Sequence, residues 1–311
     1  MNGTPASDLI LWCYDASPFT QRVLRMLAIK NLDWRWVETP MLPPKAALGA
    51  LTGGYRGTPV LQVGADVYID SQLIALELER RFPEPSLFPA GDRGLALAMV
   101  KWSDGFFSSA LGIVVHATAA LWPEDFYRDR RELFAEFDWD AALASADHAR
   151  GQYRAHLQFL ETQLADGRRF LGGGRPGLAD AQALPFVAMI RAMGQASAEL
   201  FAGFTRLPAW EAAVVALGEG RRASMSPESA LAIARQASPA HDPLAASIEA
   251  AGGLRAGAVV EVSPDDTRRG RIRGELVRLD AARVSIQRRD PLCREVRVHF
   301  PRLGYRVAAA N

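Results

Sequence analysis

The sequence predicts a chain in three parts: an α/β domain over residues 1–82, an all-helical domain over 94–253 and a small antiparallel β domain over 254–311. Three observations carry this reading. Up to Phe82 short apolar runs alternate with helical patterns, from Leu95 onward the apolar period is helical, and after Gly252-Gly253 it becomes two.

The apolar run Leu9 to Tyr14 reads as a strand, Asp15-Ala16 as a turn, and Pro18 as the first residue of a helix, where a missing N–H costs nothing. Ser17 therefore stands where unsatisfied N–H groups and the positive end of a helix dipole converge. Such a place favours a bound anion, and a thiolate is one. A plain helix cap is the other reading of Ser17. Gly57-Thr58-Pro59-Val60-Leu61 opens a second strand with a proline at its start, a deliberate bend, cis or trans. Gly64-Ala65-Asp66 turns the chain into Val67-Tyr68-Ile69, and Asp70-Ser71 caps a helix over Gln72 to Leu78. The order is strand, helix, strand, helix, hairpin, helix.

Phe82 to Pro89 carries three prolines and reads as a linker. Leu97, Val100, Trp102, Phe106, Phe107, Leu111 and Val115 then fit one long helix with a broad apolar face. Another helix is expected near Ala141 to Ala165. A third follows Gly172 to Gly177, with Asp180 as the acidic member of a capping box whose N-cap is Gly177. Shorter helices open at Leu207-Pro208 and Ser226-Pro227. In the last part Val260 and Val262, Ile272 and Leu276, Val284 and Ile286, then Val296, Val298 and Phe300 alternate with polar residues, giving four or five short strands. Arg there outnumbers Asp plus Glu by roughly two to one. Arginine on the solvent side of a half-buried sheet guards its edges and is the simpler account than a phosphate-binding face.

A net charge of +1, with 49% hydrophobic and 23% charged residues, describes a globular chain and argues against whole-chain attraction to nucleic acid or an acidic membrane. The two cysteines, Cys13 and Cys293, suggest no disulfide framework, and a cytoplasmic setting is expected. Met1 to Asp8 lacks the pattern of a leader, and the longest apolar stretch, Ala110 to Ala117, is too short to span a bilayer. No metal is expected.

Together, Ser17-Pro18-Phe19, Thr58-Pro59-Val60 and Asp70-Ser71 resemble the glutathione S-transferase family in order and spacing, over roughly Asp8 to Ala251. The resemblance implies a thioredoxin-like first domain, a helical second domain, glutathione as co-substrate and a homodimer; the β part at the carboxyl end is additional to an ordinary transferase. It implies Ser17 as the group that stabilises the glutathione thiolate for attack on an apolar electrophile, with Tyr14 as rival donor. It implies Thr58 and Pro59 as the edge that pairs with the cysteinyl part, Asp70 and Ser71 as the holders of the γ-glutamyl end, and Lys45 or Arg56 near the glycyl carboxylate. The electrophile is expected between the domains, near Phe19, Trp102, Phe106, Phe107 and His116, with Trp122 a further candidate. The family usually has Ser or Thr where this chain has Gly177. A non-enzymatic adaptor that binds a protein partner, and a glutathione-dependent lyase, isomerase or peroxidase, are the other readings of the same scaffold.

Overall fold

The computed structural model describes residues 9–246, 248, 253–265 and 270–310. Met1 to Asp8 and the Gly252 half of the expected boundary lie outside them. The described residues divide into two compact units: unit 1 draws on 1–20, 33–77 and 221–311, unit 2 on 21–32 and 78–220.

Unit 1 opens with β1 (Ile10–Cys13), the start of α1 (Pro18–Ile29), β2 (Asp33–Glu38), α2 (Ala46–Thr52), β3 (Val60–Val63), β4 (Asp66–Ile69) and the start of α3 (Ser71–Arg81), the order expected from the sequence. β1 lies parallel to β2 and antiparallel to β3, which forms a hairpin with β4. Every residue of β1 and β3 is buried. Burial on both faces is why these strands read as predominantly apolar runs, with Gln62 of β3 the polar exception.

The strands of residues 254–311 do not form a separate third domain. β6 (Val259–Pro264), β7 (Ile272–Leu279), β8 (Arg283–Asp290), β9 (Arg294–Pro301) and β10 (Tyr305–Ala309) continue the first sheet, because β9 lies parallel to β4. With β5 (Arg221–Ser224) parallel on β2, one ten-stranded sheet results, in the order β10-β6-β7-β8-β9-β4-β3-β1-β2-β5. Both outer strands of the amino-terminal set, β2 and β4, thereby gain partners for ladder groups that would otherwise be open edges. The alternating apolar residues from Val260 to Phe300 are buried in the same core as Trp12, Val60 and Ile69. Each such side chain contributes about 1.5–3 kcal/mol. Gly274 interrupts this pattern because a Cβ there would lie 2.8 Å from the Gln287 carbonyl oxygen.

The helical domain expected over 94–253 ends earlier. α11 (Pro227–Gln236) buries Ala230, Leu231 and Ala234 in the core of unit 1. Gln62 ties it there, accepting from Trp12 Nε1 at 2.8 Å and donating to the Ala230 carbonyl at 2.8 Å. A second buried polar link joins β8, β9 and β4. His299 Nε2 is 2.9 Å from Asp66 Oδ1, its Nδ1 is 2.8 Å from Ser285 Oγ, and its ring stacks on Tyr68 at 4.6 Å. Asp66 Oδ2 also accepts the Ala240 N–H at 2.7 Å. Burial lowers the His299 pKa despite the neighbouring carboxylate. The neutral ring then donates from Nε2 to Asp66 and accepts the Ser285 hydroxyl at Nδ1.

Unit 2 holds α4 (Arg93–Thr118), α5 (Glu124–Leu133), α6 (Trp139–Ala144), α7 (Asp147–Gln163), α8 (Leu178–Arg191), α9 (Ala198–Phe201) and α10 (Leu207–Val215). The single helix expected from Ala141 to Ala165 is two, because Ser145 is extended between α6 and α7. Continued to Leu121, α4 is long and apolar enough to cross a bilayer by length and composition, unlike the sequence expectation. Here it packs on α6, α7 and α8. Asp180 accepts the N–H groups of Gly177 and Leu171 at 2.9 Å and Trp210 Nε1 at 2.8 Å. Gly177 departs from Ser or Thr for a steric reason: a Cβ there would stand 2.9 Å from both the Leu87 carbonyl oxygen and Pro89 Cδ.

Candidate functional site

Strand register gathers the candidate residues of unit 1 at one end of its sheet. Trp12 of β1 pairs with Val60 of β3, and Val60 pairs with Ile69 of β4, so the three form one row. The chain leaves β1 towards Tyr14 and Ser17, enters β3 from Thr58 and Pro59, and leaves β4 towards Asp70 and Ser71, all beyond that row. β2 is parallel to β1, so the segment that leads to Lys45 departs from the same end. Two strand spacings separate β1 from β4, about 10 Å, which is also about the reach of an extended tripeptide.

Ser17 is the N-cap of α1. Its N–H donates to the Tyr14 carbonyl at 3.2 Å and its Oγ accepts the Thr20 N–H at 3.2 Å. Capping uses an oxygen lone pair, and the hydroxyl proton is a separate donor, so the two readings of Ser17 are compatible. The residue is 3% exposed. Arg222 of β5 fixes the preceding turn through Asp15 at 3.2 Å and lies over the Trp36 ring. Tyr14 is half-buried, with Lys45 Nζ 5.4 Å from its ring centroid. Lys45 Nζ in turn donates to the Arg56 carbonyl at 3.1 Å. Tyr14, Lys45 and the backbone of Arg56 therefore form one group.

The Thr58–Pro59 bond is cis, with Pro59 buried and Thr58 half-buried. Asp70 has φ 79°, a left-handed conformation that Asp tolerates better than most residues and that occurs disproportionately at functional sites. Its Oδ1 accepts the Gln72 N–H at 2.9 Å, so the carboxylate caps α3, and Ser71 beside it is buried.

The five side chains expected to face an electrophile do not share one environment. Phe19 is half-buried in α1. Phe106 is fully buried between the rings of Tyr153, His156 and Phe186, and so is a core residue of unit 2 rather than a wall of a cleft. It shares a helix stripe with Ser103, Ala110 and Ile113, all buried, so the aromatic period reported packing. Trp102 is half-buried against His156, and Phe107 is half-buried against Phe134 and Phe186. His116 is exposed, with Nδ1 3.3 Å from the Leu143 carbonyl oxygen, and Trp122 donates from Nε1 to Thr118.

Two residues at the candidate site escaped the sequence reading. Tyr305 Oη donates to Asp70 Oδ2 at 3.4 Å and lies 3.4 Å from Tyr55 Oη. Proximity of residues 70 and 305 comes from strand pairing, and no local spacing signals it. An open groove of about 520 Å³, lined by Arg235, Arg289, Arg294 and Glu295 among others, contains none of the candidate residues. Among the described residues no group of three potential metal ligands occurs.

Residues 11–86 match the glutathione S-transferase N-terminal domain and residues 141–213 match its C-terminal domain. The crystal structure of a GST-like protein from Pseudomonas syringae is similar at 30% identity and a TM-score of 0.80, covering 98% of this chain and 100% of that one. A Tau-class glutathione S-transferase from mango, Mangifera indica, is similar in fold at 20% identity and a TM-score of 0.50, over 68% of this chain and 88% of that one. A trimeric glutathione transferase from Leishmania has a TM-score of 0.51 at 19% identity, over 67% of this chain and 43% of that one. No curated protein sequence matches.

Proposed function

We propose, from the premise that this chain belongs to the glutathione S-transferase family, that it binds glutathione at the site end of the unit 1 sheet and that Ser17 holds the thiol as a thiolate. One observation supports this most strongly: the Trp12–Val60–Ile69 row sends Ser17, Thr58-Pro59 and Asp70-Ser71 to the same end. The span across these strands suits a tripeptide whose thiol lies by Ser17, whose cysteinyl backbone pairs at Thr58 and Pro59, and whose γ-glutamyl end meets Asp70 and Ser71.

The chemistry asks for a modest energy. An ordinary thiol titrates near 8.5, and lowering it by two units takes about 2.7 kcal/mol. Burial around Ser17 opposes this by disfavouring the charged form. A hydrogen bond from the hydroxyl to sulfur supplies about 1.5–3 kcal/mol, and the α1 N-terminus adds about 0.3–1. The thiol proton goes to solvent, and the sulfur lone pair then forms the bond to carbon of an apolar electrophile, whose leaving group departs with its bonding electron pair or, where carbon is part of a polarised double bond, whose π pair takes a proton from solvent. A homodimer and a reducing compartment complete the proposal, the latter supported by two buried cysteines without a disulfide.

Titration with glutathione, followed by thiolate absorbance across pH, tests the reading. The bound thiol should titrate below 7.5, and Ser17→Ala should raise that value by one or more units. An unchanged value moves the role to Tyr14 or to backbone amides, and absence of binding favours the adaptor.

A further inference from the structure

We propose that Tyr305, the first residue of β10, is a positioning residue for glutathione recognition, its phenol fixing the Asp70 carboxylate against which the γ-glutamyl ammonium group binds. The inference rests on the glutathione reading above and gives the carboxyl-terminal strands a part in it.

The strand order brings Tyr305 to this place. β9 runs parallel to β4 with His299 opposite Tyr68, so Phe300 and Pro301 advance beside Ile69 towards the site end. The chain turns through Arg302, Leu303 and Gly304, the last with φ 88°, and enters β10 at Tyr305. Arg302 Nη1 closes the turn on the Tyr305 carbonyl at 2.9 Å, and the Phe300 ring lies 5.4 Å from the Tyr305 ring. Tyr305 is 3% exposed. Its hydroxyl lies between Asp70 Oδ2 and Tyr55 Oη, 3.4 Å from each.

Direction follows from the chemistry of the three groups. An ionised carboxylate only accepts, so Tyr305 donates to Asp70, and the approach of the two phenols is satisfied when Tyr55 donates to Tyr305. Tyr55 is itself pinned: a Cβ on Gly57 would lie 2.6 Å from its hydroxyl and 2.7 Å from its ring. Gly57 directly precedes Thr58. The two phenols thus connect the loop that carries Thr58-Pro59 to the carboxylate of Asp70.

The effect on binding is preorganisation. Gln72 N–H holds Oδ1 and Tyr305 holds Oδ2, so the carboxylate is fixed before an ammonium group arrives. Replacing Tyr305 by Phe keeps the buried ring and removes its hydroxyl, and with it both the bond to Asp70 and the acceptor for Tyr55. The loss should fall on the amino group of the ligand and leave its thiol alone.

Calorimetric titration of the full chain with glutathione and with glutaryl-cysteinyl-glycine, which lacks that amino group, tests this. Tyr305→Phe should weaken glutathione binding about three- to tenfold, leave the analogue within twofold, and leave the bound thiol pKa unchanged. In an Asp70→Asn background the same substitution should have no further effect. Equal glutathione affinity in wild type and Tyr305→Phe overturns the inference, as does an equal loss for both ligands, which would mark a general structural role. Tyr55→Phe leaves the Tyr305 donor in place and should change affinity less than twofold; if it alone weakens glutathione binding tenfold, the assignment to Tyr305 also fails. If the wild type binds neither ligand, the glutathione reading itself fails first.

Discussion

His299 offers a direct perturbation of the link between the carboxyl-terminal strands and the rest of unit 1. In His299→Leu the buried Asp66 Oδ1 and Ser285 Oγ lose their imidazole partner, and the stack on Tyr68 is lost with it. A buried polar group left unpaired costs about 1–3 kcal/mol, and two are left here. A loss of about 3 kcal/mol in urea unfolding at pH 7.5 is expected. The wild type also carries a pH signature. Burial lowers the His299 pKa, so near and below about pH 6.5 the unfolded chain takes up a proton that the native ring does not. The unfolded state then binds more protons, and stability falls as pH drops, by at most about 1.36 kcal/mol per unit for this group. His299→Leu should lack that component of the slope. A variant that unfolds at the wild-type midpoint, or keeps the full slope between pH 7 and 5, refutes the reasoning.

Gly177→Ser supplies the residue that the family usually has, yet its Cβ would meet the Leu87 carbonyl oxygen and Pro89 at 2.9 Å. Thermal unfolding should register a loss of about 1–3 kcal/mol, and a gain from improved capping would contradict the steric account. Cys13 and Cys293 are both buried, and burial pushes the Cys293 thiol up to about 11. Neither should react with an aromatic disulfide reagent at pH 8 until denaturant is added, so rapid labelling of the native chain would count against the packing described.

The amino-terminal elements were legible because their signals are local. Pro18 and Ser17 mark a helix start, Gly64-Ala65 marks a hairpin, β1 is apolar throughout and β3 is apolar but for Gln62. The period of two after residue 253 likewise found the later strands. What local pattern does not carry is which strand pairs with which. β9 chooses β4 through side chains 233 residues apart, Asp66 and His299. β5, Arg-Arg-Ala-Ser, has no apolar alternation; its pairing on β2 is supported by the ion pair of Arg221 with Asp33, and Arg222 ties it to Asp15 in the turn after β1. Phe106 misled in the opposite sense, since a helical aromatic stripe looks the same whether it lines a cleft or fills a core. Tyr305 was invisible as a site residue for the same reason as β9.

The structure of the crystallised complex with glutathione tests the central claim most directly. The account predicts the sulfur within hydrogen-bond distance of Ser17 Oγ, the cysteinyl backbone along Thr58-Pro59 and the γ-glutamyl group at Asp70-Ser71. Glutathione bound elsewhere, or lying reversed with its glycyl end at Asp70, would contradict it.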